Sequence, residues 1–286
     1  MTATLFLIMH LVGLVGYTLL LRKSALTSVN KYLLAALMQT GILIPAFGFL
    51  IFSDSVSINL PLWHWLTLLL SGFFIVGLHL TNILALKYLE ASQFTIIYNL
   101  RLFVTTILGF IFLNELPSGL QVIGGILIFV SIVVLNLHKD QKYKSKPVLF
   151  GLLTTFWFSI HATIEKFNVT EIGLANFMFW AMIFATIILW LIVLSDKRIN
   201  VKSIVPVLKD RQTSKLVVFR TMSAWGYTAA LPFGSLALIN YVSGMSVALI
   251  VLFGVLLLKE TDSLKQKAIA VAIAVSGLTL ILISKI

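Results

Sequence analysis

The chain has 286 residues and a formal net charge of +11, yet 59% of its residues are hydrophobic, only 11% are charged, and the mean hydropathy is +1.05. Those values lie far outside the range of a soluble globular domain and describe a polytopic membrane protein. The absence of cysteine excludes disulfides, thiolate chemistry and cysteine-based metal sites, and the basic residues fall between apolar runs, where they report topology rather than nucleic-acid binding.

A spanning helix needs about 20 mostly apolar residues. Ten runs qualify: 3–21, 32–52, 62–86, 93–113, 119–137, 147–167, 174–194, 215–232, 236–258 and 265–284. They are continuous and about twice as long as a barrel strand, so the expected fold is an all-α integral membrane protein of ten transmembrane helices. The first run lacks a charged leader region and is followed by Arg22-Lys23, so it is expected to remain as a helix rather than be cleaved. Connections are short apart from 195–214, which leaves no room for a soluble domain.

Lys and Arg accumulate in alternate loops. Arg22, Lys23 and Lys31 lie after the first run, Lys87 after the third, and Lys139, Lys142, Lys144 and Lys146 after the fifth. Lys197, Arg198, Lys202, Lys209, Arg211 and Lys215 follow the seventh, and Lys259, Lys265 and Lys267 the ninth, whereas the other side shows only Lys166 and Lys285. Retained cytoplasmic loops carry the basic excess, which places both termini outside the cytoplasm of a cell (inner or plasma) membrane.

Sliding the sequence on itself by 145 positions aligns LNELPSGLQ (113–121) with LKETDSLKQ (258–266). Leu113, Glu115, Ser118 and Gln121 recur as Leu258, Glu260, Ser263 and Gln266, and Ser131 and Leu137 face Ser276 and Leu282. Shared Glu, Ser and Gln at fixed spacing indicate an internal repeat. Each copy holds five helices, residues 1–140 and 141–286. An odd number inverts the second copy relative to the first, an arrangement characteristic of alternating-access transporters with a midplane site between the repeats.

ALKYLEAS (85–92), a further helix and LNELPSGLQVIGGILIFVS (113–131), with LLKETDSLKQKAIAVAIAVSG (257–277) as a second copy, resemble the EamA domain of the drug/metabolite transporter superfamily. The resemblance implies a central cavity lined by helices 1, 3, 4, 6, 8 and 9, with helices 5 and 10 peripheral. One departure stands out: most members have cytoplasmic termini, and the charge bias here indicates the reverse.

Arg101 lies about nine residues into the fourth run, roughly 12 Å deep at 1.5 Å per residue, where burying it costs at least about 2.5 kcal/mol. It is either a structural cation, bonded to helix-end carbonyls or another side chain or snorkelling to an interface, or an anchor for a carboxylate or phosphate. Tyr98 and Thr105 share its face. On the sixth run Thr154, Trp157, His161, Glu165 and Asn168 form a polar stripe, readable as helix-to-helix hydrogen bonding or as a cavity wall with His161 and Glu165 handling protons. A metal site would need a third ligand that is not evident. His10 and Tyr17 share a face of the first run, and His79 and Asn82 a face of the third. Arg220 and Tyr227 align on the eighth, where Arg220 is close enough to the basic loop to reach lipid headgroups. Asn240 and Ser243 sit on the ninth, and Glu115 and Glu260 fall at helix ends, suited to capping or lateral pairing.

The expected function is a secondary transporter for a small, carboxylate-bearing metabolite, an amino acid or a related compound. It would need no cofactor, move its cargo by alternating access with proton or solute coupling, contact membrane lipid, and act as monomer or homodimer. The alternative is a multidrug or organic-cation exporter of the same superfamily; no Asp or Glu falls at the centre of a predicted span, which argues against a permanently cationic cargo. An intramembrane enzyme, hinted at by Gly244-Met245-Ser246, and a lipid-handling subunit are further readings that a ten-helix inverted repeat fits less well.

Overall fold

The computed structural model describes residues 2–26, 30–52, 55–116, 118–136, 145–196, 204–262 and 264–283. Lys139, Lys142, Lys144, Lys197, Arg198, Lys202, Leu137, Ser263 and Lys285, as well as the repeat boundary at 140, lie outside them.

Among the described residues all regular structure is helical. Six stretches are long and apolar enough to cross a membrane: Ala3–Ala25, Lys31–Phe52, Leu62–Tyr88, Ala91–Leu113, Lys146–Ser195 and Leu236–Leu258. In chain order the helices are α1 (Thr2–Ala25), α2 (Lys31–Leu43), α3 (Ala46–Phe52), α4 (Leu62–Tyr88), α5 (Ala91–Tyr98), α6 (Leu100–Leu113), α7 (Gly119–Asn136) and α8 (Ser145–Ser195). After these come α9 (Ile204–Lys209), α10 (Arg211–Ala230), α11 (Leu236–Gly244), α12 (Ser246–Leu258) and α13 (Leu264–Ile283).

Several apolar runs are interrupted rather than straight. Pro45, which lacks an amide donor, separates α2 from α3. At Asn99, between α5 and α6, the backbone stays helical but tightens, with the Leu102 amide donating to the Asn99 carbonyl at 3.0 Å. Met245 makes the corresponding break between α11 and α12. The long α8 contains two helical stretches that part at Gly173, where φ 83 and ψ 161 call for a residue without a Cβ. Asp210 caps α10 by accepting from the Thr213 amide at 2.8 Å, and that bond with the Thr213 hydroxyl holds its carboxyl below the usual range.

Packing follows the apolar faces. α1 lies along α10, α4 along α8 and α7 along α13. The α1–α10 crossing is close because glycine faces backbone from both sides: a Cβ on Gly13 would sit 2.4 Å from the Ser223 nitrogen, and one on Gly226 2.6 Å from the His10 nitrogen. Small residues that let backbones approach are a standard device for helix packing in membranes. The outer faces carry exposed Leu66, Leu69 and Phe73 on α4 and Ile123, Ile126 and Phe129 on α7, as a lipid-facing surface requires.

The helix ends are tied by charges reaching across the chain. Asn114 and Lys259 close α6 and α12 in the left-handed conformation, φ 55 and 56, and the next residue in each case is a glutamate. The Glu260 carboxylate accepts the Ala91 and Ser92 amides at 2.7 and 3.1 Å, capping α5. Glu115 accepts the Leu236 amide at 3.0 Å, at the start of α11. Cations serve the opposite ends, as the helix dipole favours: Arg22 donates to the Leu86 carbonyl at 2.7 Å, and Lys166 to those of Leu231 and Gly234 at 2.7 and 2.9 Å. Lys267, fully buried, pairs with Glu90 and donates to the Glu260 carbonyl.

Candidate functional site

Between these helices lies a cavity of about 50 Å³, room for a few water molecules. α1 contributes His10, α2 Gln39, α4 Ile75 and Leu78, α5 and α6 Tyr98 and Arg101, α8 Phe158, His161 and Glu165, and α10 Arg220 and Tyr227. The family resemblance implied neither α2 nor the second stretch of α8, yet Gln39 and Met182 line the wall, while α7 and α13 contribute nothing to it.

Arg101 is 1% exposed. The break at Asn99 sets it in the first turn of α6, from which its side chain reaches α11: Nη1 donates to Asn240 Oδ1 at 3.1 Å and Nη2 to Ser243 Oγ at 2.7 Å. Its carbon Cζ lies 4.6 Å from the Tyr98 ring centroid and 4.9 Å from that of Phe158, a cation–π cradle. Its Nε is buried without an acceptor, and among the described residues no carboxylate lies within ion-pairing distance. Arg101 is therefore held by neutral groups only, with its charge uncancelled.

His10 fixes the far side of that network. Its Nδ1 is 2.7 Å from the Ser223 carbonyl and its Nε2 2.7 Å from Ser243 Oγ. A carbonyl only accepts, so Nδ1 carries the proton; neutral Nε2 then accepts from the Ser243 hydroxyl, whose oxygen in turn accepts from Arg101. The chain Ser223–His10–Ser243–Arg101 is thus consistent in every donor and acceptor. Ser243 joins α1 to α6.

Across the cavity, Glu165 accepts a short hydrogen bond from the Thr228 hydroxyl and faces His161 Nε2 at 3.3 Å, while His161 Nδ1 meets Ser71 Oγ at 2.9 Å. Glu165 lies away from the centre of its run, yet it is 2% exposed and lines the same space as Arg101. The other members of that stripe pack on α4. Thr154 bonds Thr81, Asn168 accepts from Thr67, and Trp157 packs edge-on or tilted among Phe73, Phe74 and Phe156 over Gly77. Trp157 is not on the cavity wall.

Tyr17, His79 and Asn82 form a neighbouring polar cluster. Asn82 donates to the Tyr17 hydroxyl at 2.8 Å, and His79 donates to Gln39 Oε1 at 3.0 Å, which links the cluster to the cavity through Gln39. Thr105 bonds the Arg101 carbonyl of its own helix at 2.7 Å and does not face the cavity. Asn240 stands behind Arg101, and Tyr227 packs on His10 with centroids 5.3 Å apart. Sequence reading passed over Gln39, Ser71 and Thr228; Gln39 and Ser71 are isolated polar residues in apolar runs, which was the available signal. Among the described residues no group of three His, Cys, Asp or Glu is placed to hold a metal ion.

A solved crystal structure shares the fold with a TM-score of 0.68 at 17% identity, covering 97% of this chain and 95% of its own. No curated protein matches the sequence. Residues 2–137 match the EamA-like transporter family. That match covers the part of the chain that supplies His10, Gln39, Tyr98 and Arg101, so residues 2–137 are those of an EamA-like transporter of the drug/metabolite transporter superfamily, in a chain whose long apolar helices make it a multi-pass membrane protein.

Proposed function

We propose that the protein is a secondary transporter that moves a small carboxylate-bearing metabolite, an amino acid or a related compound, by alternating access between two inverted five-helix halves, 1–140 and 141–286. The observation that carries the substrate class is Arg101, fully buried at the cavity wall, held only by neutral partners and left with an unpaired Nε. A carboxylate or its equivalent is the ligand a guanidinium so placed is suited to receive.

The ten-span reading is supported by the break in α8 at Gly173, which divides a 51-residue helix into two stretches each of about spanning length. The inverted repeat is supported by the paired helix-end contacts. Glu260 and Glu115 stand 145 positions apart, and so do Ala91 and Leu236, the residues whose amides they cap. A cavity of about 50 Å³ is smaller than an amino acid, in keeping with a compact state that must open to admit cargo. The His161–Glu165 pair is the proposed proton-handling group, and loop charge puts the termini outside the cytoplasm of the cell membrane.

A cation-exporting role has one observation in its favour, the buried Glu165 beside aromatic Phe158 and Tyr227. Glu165 Oε1 already accepts from Thr228 and Oε2 lies 3.3 Å from the His161 ring, whereas Arg101 has no carboxylate partner among the described residues, so the carboxylate reading ranks first. A thermal-shift comparison of purified wild type and Arg101→Ala against amino acids, organic acids, phosphates and organic cations tests it. A ligand at 100 times its Kd adds about 2.7 kcal/mol to the native state. Stabilisation of wild type alone by carboxylates is expected. Stabilisation by cations, or equal responses from both proteins, moves the exporter to first place.

A further inference from the structure

Arg220 is a second cation on the cavity wall, half-buried and, among the described residues, without a counter-ion. It stands nine residues beyond Arg211, the first residue of α10, roughly 13 Å along the helix, and its Cζ lies 5.1 Å from the Tyr17 ring centroid. Among the described residues its guanidinium has no hydrogen-bond acceptor and no carboxylate in ion-pairing range, and its Nε is fully buried. It is directed not to headgroups but to the cavity that Arg101 lines.

Two guanidiniums therefore face one small space. The carboxylate there, Glu165, accepts from Thr228 through Oε1 and has Oε2 3.3 Å from the His161 ring, and His10 is held between the Ser223 carbonyl and the Ser243 hydroxyl. Uncompensated cations inside a membrane protein are costly to keep and characteristically mark a substrate path. Ile75, Leu78 and Met182 complete the wall and suit a short hydrocarbon linker.

We propose that Arg101 and Arg220 are two anion subsites of a single cavity, and that the cargo is a small dicarboxylate with one carboxylate on each. This rests on the carboxylate reading above and narrows it.

Isothermal titration of the purified full-length chain with glutarate and glutaramate, and with L-glutamate and L-glutamine, tests the proposal, because each pair differs by one carboxylate at nearly constant shape. In wild type the acid should bind roughly tenfold to a hundredfold tighter than the amide. Arg220→Gln should bring the pair to within about threefold while leaving amide binding in place, Arg220→Lys should retain part of the preference, and Arg101→Gln should weaken all four ligands. Equal affinity for acid and amide in wild type, or a preference that survives Arg220→Gln, overturns the second subsite. Amide binding that still depends on Arg101 would then leave the single-carboxylate reading standing, whereas no binding of either class to wild type removes both.

Discussion

Glu260 and Glu115 each cap a helix in the other half of the chain: Glu260 holds the first amides of α5, and Glu115 the first amide of α11. The two ties are unequal. Glu260 also accepts the Ser92 hydroxyl at 2.9 Å and lies 3.7 Å from the Arg22 Nε, whereas Glu115 leaves Oε2 buried without a partner. Glu115→Ala should cost about 1–2 kcal/mol, the worth of one cap, and Glu260→Ala roughly 3 kcal/mol, because it also removes the acceptor of the Ser92 hydroxyl and the carboxylate beside Arg22. Unfolding midpoints in detergent should rank wild type, Glu115→Ala and Glu260→Ala in that order; the reverse order of the two variants would refute the asymmetry.

Ser243 is the hydroxyl through which His10 supports Arg101. Ser243→Ala leaves His10 Nε2 without a donor and one Arg101 N–H without an acceptor, so carboxylate affinity should fall about tenfold. Ser276→Ala is the control, since that hydroxyl bonds only its own helix at 2.9 Å; titration calorimetry on both variants gives the comparison.

A methyl group at Gly13 has no room beside the Ser223 backbone. Gly13→Ala should force α1 from α10, destabilise by about 1–3 kcal/mol and weaken ligand binding by withdrawing His10. Gly119→Ala, where a Cβ meets nothing within 4 Å, should leave both unchanged. Melting curves with and without ligand measure the two effects separately.

Because the chain has no cysteine, any introduced thiol is unique. Asn59 and Lys209 are exposed on connections that loop charge assigns to opposite sides. A membrane-impermeant maleimide applied to intact cells should label Asn59→Cys and not Lys209→Cys, and the opposite pattern would reverse the proposed orientation.

What could be read from the sequence depended on range. Helix positions were legible because each apolar run is a local composition effect: the run at 62–86 corresponds to α4, Leu62–Tyr88, and that at 265–284 to α13, Leu264–Ile283. The interruption at Pro45 had a local cause. Those at Asn99 and Met245 had none in residue type, since both keep helical backbone angles. The setting of Arg101 was beyond local reasoning, because its partners Asn240 and Ser243 lie 139 and 142 positions away. Arg220 reads from the sequence as reaching lipid headgroups, and the packing of α10 on α1 turns it inward. Trp157 shared the face of His161 by spacing, but a large ring beside Gly77 packs into the groove on α4 rather than toward open space.

The unequal helix-end ties also bear on where the protein rests between turnovers. If its two halves were identical, the states closed at one membrane face and at the other would have equal free energy. Here one end is fastened by Arg22, Glu90, Glu260 and Lys267, and the other by Lys166 and Glu115. Under the proposed alternating-access cycle, that difference would tilt the resting population toward closure at the four-charge end, so that unloaded protein would wait with its vestibule facing the opposite side.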